Sequence, residues 1–454
     1  MRLTQRKYMA LKKDYTPIFK AYDIRGVYPK ELDNDFAYLL GRAFITYTKA
    51  KDVAVGYDGR KSSPKLFENL KKGLIEAGAN VIDIGLVSTP MSYFAVIQGK
   101  YDAGIMITAS HNPKDWNGFK LMQKKAEPLY SENGSLDILK IINAKTFTKG
   151  IKKGKSMKKS FVRDYENFLK GLFKKSKKKE LKLVIDQSNG SGVNEVNTLK
   201  KLFPKAKILN NKITPNPVHE PNPLSHDARK QLVAEVKKQK ADLGLIFDGD
   251  ADRLCFVTHK GHFVRPDLIL TLLSKQLKKG PVIYDTRSSQ AVHDTCTRNG
   301  IQAIMSKAGR TYIYSAMKDE QAEIGGENSG HYFFKETQYL DNAGVCAIKV
   351  LNILKNTEEP LCDIIKEYDE YHHSGEINFK VKNPSKAFLL AEQAFTEPVK
   401  SLFIDGLSVY FDDFWFNLRK SNTENIIRLN AEAKTKEVLE KNLKKINNVM
   451  ALAK

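Results

Sequence analysis

Residues 102–113 read DAGIMITASHNP and residues 242–253 read DLGLIFDGDADR, two copies of one pattern. Each begins Asp-x-Gly, runs through three apolar residues and ends in a polar loop: Thr108, Ala109, Ser110 in one copy, Asp248, Gly249, Asp250 in the other. A looser third copy takes Ala322, Glu323, Ile324 into Gly325, Gly326, Glu327, Asn328 and Ser329. A short apolar run bounded in this way is a buried strand, and in open α/β sheets the loops beyond the carboxyl ends of strands bind ligands. Three such units predict three similar mixed α/β domains around a central cleft, each contributing one loop to it.

Working outward, short β-branched runs at 53–56, 80–84, 104–107, 183–185, 243–247, 282–284 and 301–305 alternate with amphipathic helical stretches over the first 350 residues, the pattern of parallel strands joined by helices. From residue 377 the texture changes. Alternating strands at 407–411 and 414–418 precede a helix at 436–447, which predicts a separate C-terminal α+β domain. Stretches 149–160, 261–267 and 371–376 are expected linkers and divide the chain into domains 1–150, 151–262, 263–372 and 373–454.

The chain has 454 residues, long enough for several cores, and 41% of it is hydrophobic. Its net charge of +23 would suit a nucleic-acid partner. The excess is mostly Lys spread over helices and loops, however, and the dense run at 152–182 lacks the interleaved aromatics that stack bases, so no specific nucleic acid is expected. Cys255, Cys296, Cys346 and Cys362 are far apart with no CxxC, which argues for a reducing compartment and against structural zinc. The first residues carry no apolar signal core, and no stretch approaches about 18 apolar residues, so a cytoplasmic protein without a membrane span is expected.

Ser110 follows a strand and precedes Pro113, so it is either a helix N-cap or a hydroxyl facing a cleft. No GxSxG surrounds it, which excludes the usual hydrolase nucleophile. A phosphate on Ser110 would bring a charge of about −1.5 to −2 and need cations, part of which His111 and Lys120 could supply. Asp248, Asp250 and Asp252 at i, i+2, i+4 would point to one side of an extended loop and could converge on one octahedral ion. An EF-hand fails, because the sixth position is Arg253 and the twelfth His259. Residues 326–331 place Glu327, Ser329 and His331 in a Gly-rich loop that either is a plain turn or approaches polyol hydroxyls. Arg419, Lys420, Ser421, Asn422, Thr423 and Arg428 have the composition of a phosphate cradle. No GxxxxGK[ST] and no kinase Gly-rich loop is present, so enzyme and substrate themselves must supply the phosphate.

The runs FKAYDIRG (19–26), TASHNP (108–113), NGFK (117–120), DGDADR (248–253), GGENSGH (325–331) and FNLRKSNTENIIRLN (416–430) resemble, in order and over essentially the full length, the α-D-phosphohexomutase superfamily. The likeness is greatest to its bacterial phosphomannomutase/phosphoglucomutase branch. The resemblance implies a phosphoserine at Ser110, with Mg²⁺ on that phosphate and on Asp248, Asp250 and Asp252. It places Arg25, His111, Lys120 and His331 at the reacting oxygens, with Lys120 as general acid/base and Arg253 beside the metal loop. Glu327, Asn328, Ser329 and Arg287 would hold the sugar, while Arg419, Ser421, Asn422, Thr423 and Arg428 would grip the non-reacting phosphate. The implied reaction exchanges phosphate between hexose 1-phosphate and hexose 6-phosphate of mannose or glucose, with hexose 1,6-bisphosphate as intermediate and activator.

Tyr57, Arg310 and Asn425 depart from the family pattern. A phosphoglucosamine mutase would begin FGTDGIRG and end SGTEP, and an inactive sugar-phosphate-binding paralogue would have lost the serine or an aspartate. Hexose phosphates are therefore the expected partners. Mannose against glucose, and monomer against dimer, stay open.

Overall fold

The computed structural model describes residues 13–148, 150, 152–174, 179–420 and 426–453. Each of the three repeated sequences becomes the pivot of its own sheet. Ala103–Ile107, Leu243–Phe247 and Ile324–Gly326 have a parallel neighbour on one side (Asp52–Tyr57, Leu183–Asp186, Val282–Asp285) and an antiparallel neighbour on the other (Trp116–Met122, Leu254–Thr258, Tyr332–Phe334). Every residue of these three pivot strands is buried, as an uninterrupted apolar run requires. The sheets hold seven, five and five strands, and a fourth, six-stranded sheet is antiparallel throughout. The molecule is thus three α/β domains followed by a C-terminal α+β domain.

Some sequence expectations shift at element edges. The stretch 149–160 is not wholly a linker: Ser156–Lys158 adds a parallel edge strand to the first sheet beside Asn80–Leu86. Phe263–Val264 likewise completes the second sheet, and His372–His373 pairs into the fourth. The strand expected at 301–305 is Ala303–Ser306, because Ile301 buries its side chain ahead of the strand. The last helix runs Lys436–Leu452, five residues beyond the expected end, because Val449 and Met450 extend its buried stripe.

Packing separates three domains from one. One apolar core runs from Ile82 and Met106 in the first sheet through Tyr165 and Leu245 to Val282 and Cys346, the first domain has a second core around Phe36, Phe44 and Phe119, and the fourth domain closes its own around Phe416, Leu429 and Met450. Within the first domain, helices Asn34–Thr48 and Ser63–Glu76 approach so closely that a Cβ on Gly73 would lie 2.1 Å from the Tyr38 carbonyl oxygen, a contact no side chain survives.

The fourth domain meets the third through polar contacts. Glu432 accepts from Trp415 Nε1 (2.9 Å), Ser289 Oγ (3.0 Å), the Gln290 amide (3.1 Å) and Arg265 Nη1 (3.3 Å). No helix among the described residues is long and apolar enough to cross a membrane.

Candidate active site

Ser110 sits immediately beyond the strand Ala103–Ile107 at φ +50°, a left-handed conformation that non-glycine residues adopt only when their surroundings enforce it. Arg60 supplies the enforcement. Its guanidinium donates to the carbonyls of Ser110 (2.8 Å), Asn112 (2.7 Å), Pro113 (2.6 Å) and Trp116 (3.0 Å), and Asp58 holds its Nε at 3.1 Å. No helix follows, so the N-cap alternative for Ser110 falls away. Its hydroxyl instead donates to Asp248 Oδ2 at 2.6 Å.

The three aspartates converge, but not through an extended loop. Residues 248–252 form a tight turn in which Ala251 has φ +57° and its amide donates to the Asp248 carbonyl. An extended strand would point the three carboxylates to one side but space them about 6.5–7 Å apart, whereas the turn brings one oxygen of each within 4.8 Å of the others. Asp250 Oδ1 is buried without a hydrogen-bond partner among the described residues, and Asp252 Oδ1 has only an ion pair with His331 at 3.3 Å. An all-oxygen donor set with an orphaned buried carboxylate oxygen fits a hard divalent cation.

Lys120, almost fully buried on the neighbouring strand, reaches Asp250 Oδ2 at 2.6 Å and Asp252 Oδ2 at 2.5 Å. Burial opposes its charge, but Asp250 and Asp252 outweigh burial and hold its pKa above the ordinary lysine value. Burial, with the other two carboxylates, pushes Asp248 well up; against the same burial, Lys120 holds Asp250 down, and Lys120 with His331 hold Asp252 well down. His111 comes within 3.2 Å of Ser110 Oγ, yet Arg253 and burial hold its pKa well below the usual value. With no phosphate on Ser110, the imidazole is thus held towards its neutral form. Arg25 is fixed by Asp23 (2.9 Å) and reaches Asn112 Oδ1 (2.5 Å) and the Ala109 carbonyl (3.3 Å).

The third loop joins the second directly. Arg253 and His331 form a backbone bridge, and the Leu254 amide donates to the Gly330 carbonyl at 3.0 Å. Glu327 accepts from the Gly309 amide (2.6 Å) and Ser329 Oγ (3.2 Å), and its carboxylate lies 3.1 Å from His331 Nδ1. His331 Nε2 lies 3.3 Å from Asp252. Burial works against charge on both members of this pair; Asp252 first, then Glu327, holds His331 protonated, and His331 first, then Arg287, holds Glu327 ionised. Arg287 is held on Asp285 at 3.0 Å, and Asn328 is anchored by its amide on Asp285 and its Nδ2 on the Arg287 carbonyl.

The fourth domain contributes Arg419 and Arg428, paired across adjacent strands. Glu376 contacts both, Arg428 Nη1 at 3.1 Å and Arg419 Nη2 at 3.8 Å. Ser421, Asn422, Thr423 and the divergent Asn425 lie outside the described residues. A cleft of about 370 Å³ runs between the third and fourth domains, lined by Arg287, Asn328, Glu376, Arg428 and Asn430. A larger cavity of about 560 Å³, among Tyr284, Met305, Tyr410 and Trp415, contains none of the expected site residues.

Three residues that hold this arrangement have no motif of their own. Arg60 works through backbone carbonyls invisible in one dimension. Thr89 Oγ1 donates to Asp250 Oδ2 at 2.6 Å from 161 residues away. The divergent Arg310 is buried against Asp341 and Tyr93, joining the third domain to the first.

Family models for phosphoglucomutase/phosphomannomutase match the chain in four consecutive parts. These are α/β/α domain I at residues 16–149, domain II at 159–261, domain III at 265–371 and the C-terminal domain at 376–449. A phosphomannomutase of Methanocaldococcus jannaschii is 36% identical over 440 residues, covering 96% of this chain and 97% of that protein. A phosphoglucomutase of Neisseria meningitidis is also 36% identical, over 445 residues, covering 93% and 94%. Among solved structures, a phosphoglucomutase/phosphomannomutase family protein from Burkholderia thailandensis superposes with TM-score 0.88 at 31% identity, covering 96% of this chain and 97% of that one.

Proposed function

The chain belongs to the phosphoglucomutase/phosphomannomutase family, and from the geometry of its cleft we propose that it interconverts the 1- and 6-phosphates of mannose and glucose, with Ser110 as phosphate carrier. The observation that carries the reading is Ser110 itself. Its hydroxyl is held at a left-handed backbone position 2.6 Å from Asp248, within a cluster of three buried aspartates that face the Glu327–His331 loop.

In the first transfer the bond from phosphorus to Ser110 Oγ breaks and a bond to the free sugar hydroxyl forms. In the second, after the bisphosphate has turned over, Ser110 Oγ takes the phosphoryl group from the other end. The two half-reactions are mirror images, so one constellation serves both. Released from Asp250 and Asp252, which hold it protonated, and in its neutral form, Lys120 receives the proton of the attacking hydroxyl and returns it to the leaving sugar oxygen, while Ser110 Oγ stays unprotonated between the two transfers. Arg25 and His331 stand at the transferring oxygens as cations. Glu327 and Ser329 hold sugar hydroxyls, and Arg419 with Arg428 exchange Glu376 for the distal phosphate. Asp248, Asp250 and Asp252 with the Ser110 oxygen would hold Mg²⁺, which when bound offsets charge on the phosphoryl oxygens.

The test is intact mass after incubation with glucose 1,6-bisphosphate and Mg²⁺. One added phosphoryl group is expected in the parent and none in Ser110→Ala; equal labelling of the variant would overturn the assignment.

A further inference from the structure

Glu195 has no part in the chemistry above, yet it is fully buried at the meeting point of three domains. Its Oε1 accepts from Ser88 Oγ of the first domain at 2.5 Å and from Tyr165 OH of its own domain at 2.9 Å. Tyr165 OH also lies 3.3 Å from Asn342 Oδ1 of the third domain, the residue that caps helix Ala343–Leu354. No cation pairs with Glu195 among the described residues, and its Oε2 has no partner there. A buried acid kept without a counter-charge costs stability, so what it holds in place matters.

What it holds is the start of helix Thr89–Gln98. Ser88 has one hydroxyl proton. It donates that proton to Glu195 while its oxygen accepts the Met91 amide at 3.2 Å, capping the helix. The next residue, Thr89, grips Asp250 twice, through Oγ1 on Oδ2 (2.6 Å) and through its amide on the Asp250 carbonyl (2.9 Å). Two residues on, Met91 Sδ accepts from Asn194 at 2.9 Å, and Arg310 of the third domain takes Tyr93. The helix is therefore clamped by both neighbouring domains; its cap Ser88 and first residue Thr89 link the Glu195 side chain to the acidic turn, which the backbone ahead of Glu195 also meets where the Ser191 amide donates to the Gly249 carbonyl.

We propose that Glu195 is a positioning residue for the metal loop, acting through Ser88 and Thr89 to fix the carboxylate of Asp250. This rests on the reading of Asp248, Asp250 and Asp252 as a divalent-cation site. A partner that orients a ligand without touching the ion contributes typically about 10- to 100-fold in affinity.

The experiment is calorimetric titration of Mg²⁺ into the parent protein, Glu195→Ala, Glu195→Gln, Ser88→Ala, Thr89→Val and the double variant Glu195→Ala/Thr89→Val, with no sugar phosphate present. Glu195→Ala and Ser88→Ala should each weaken Mg²⁺ binding about 10-fold or more, whereas Glu195→Gln, which keeps the Oε1 acceptor, should stay near the parent. In the Thr89→Val background Glu195→Ala should add nothing further, because the link is already cut. Should Glu195→Ala not fold, Ser88→Ala cuts the same link with a smaller change.

Parent-like Mg²⁺ affinity in Ser88→Ala, or full additivity of Glu195→Ala with Thr89→Val, would overturn the proposal while leaving the metal site intact. Failure of the parent to bind Mg²⁺ at all would overturn the metal reading itself.

Discussion

Replacing Glu195 by Gln should change how the protein's stability depends on pH, and the magnitude follows from burial. Removal from water, only partly offset by hydrogen bonds from Ser88 and Tyr165, pushes the Glu195 carboxyl from the ordinary 4.5 up to about 7. The folded state therefore holds this proton more tightly than the unfolded chain. Below about pH 4.5 the group is protonated in both states and costs nothing; as pH rises towards 7 the unfolded chain ionises first and stability is lost; above 7 the loss is constant. The gap between 4.5 and about 7, at about 1.4 kcal/mol per pH unit, comes to about 3 kcal/mol. Glutamine cannot ionise, so the stability of Glu195→Gln relative to the parent should rise by about that amount between pH 4.5 and about pH 8. Urea unfolding of both proteins across this range measures it, and titration of every other group cancels in the difference. One apolar cluster, in which Glu195 lies beside Tyr165, spans the first three domains, so the transition to follow is theirs. A difference that stays flat within about 0.5 kcal/mol would mean that Glu195 ionises as in water, and the account of its burial would fail.

Arg60→Lys should lower kcat more than it raises KM, because a single ammonium cannot serve the four carbonyls that hold the Ser110 loop; parent-like turnover would refute this. Lys120→Met should reduce kcat by about 10²- to 10⁴-fold and, with EDTA present, destabilise the protein by about 3–5 kcal/mol because two buried carboxylates lose their cation. Unchanged unfolding in EDTA would count against that pairing. Arg419→Ala should raise KM and lower kcat together, since binding remote from the reacting centre orients the substrate. Glu376→Gln should lower KM by releasing both arginines to the phosphate, and a raised KM in steady-state assays would show that Glu376 supports the cradle instead.

Some of this protein was legible in one dimension. The repeated Asp-x-Gly-apolar run identified three strands and their loops because a strand buried on both faces must be continuously apolar, a constraint carried entirely by local sequence. That Ser110, the three aspartates and the Glu327–His331 loop belong to one cleft was readable for the same reason: each stretch is contiguous and follows a pivot strand. How the aspartates converge was not, since the tight turn depends on Ala251 adopting φ +57° under contacts from outside the motif.

Charge states also required the fold. Arg253 and burial hold His111 towards its neutral form, and two carboxylates from another domain hold Lys120 cationic. Edge strands such as Ser156–Lys158 have no core pattern because all three residues are exposed, so only their hydrogen-bonded partner reveals them. Arg60, Thr89, Glu195 and Arg310 act on backbone carbonyls or on residues far away in the chain, and no local pattern records such a contact. Sequence by itself determined which side chains the chemistry can use, through local apolar and polar periodicity; tertiary structure alone decided which of them meet, and in what ionisation state, because distance and burial are properties of the folded chain.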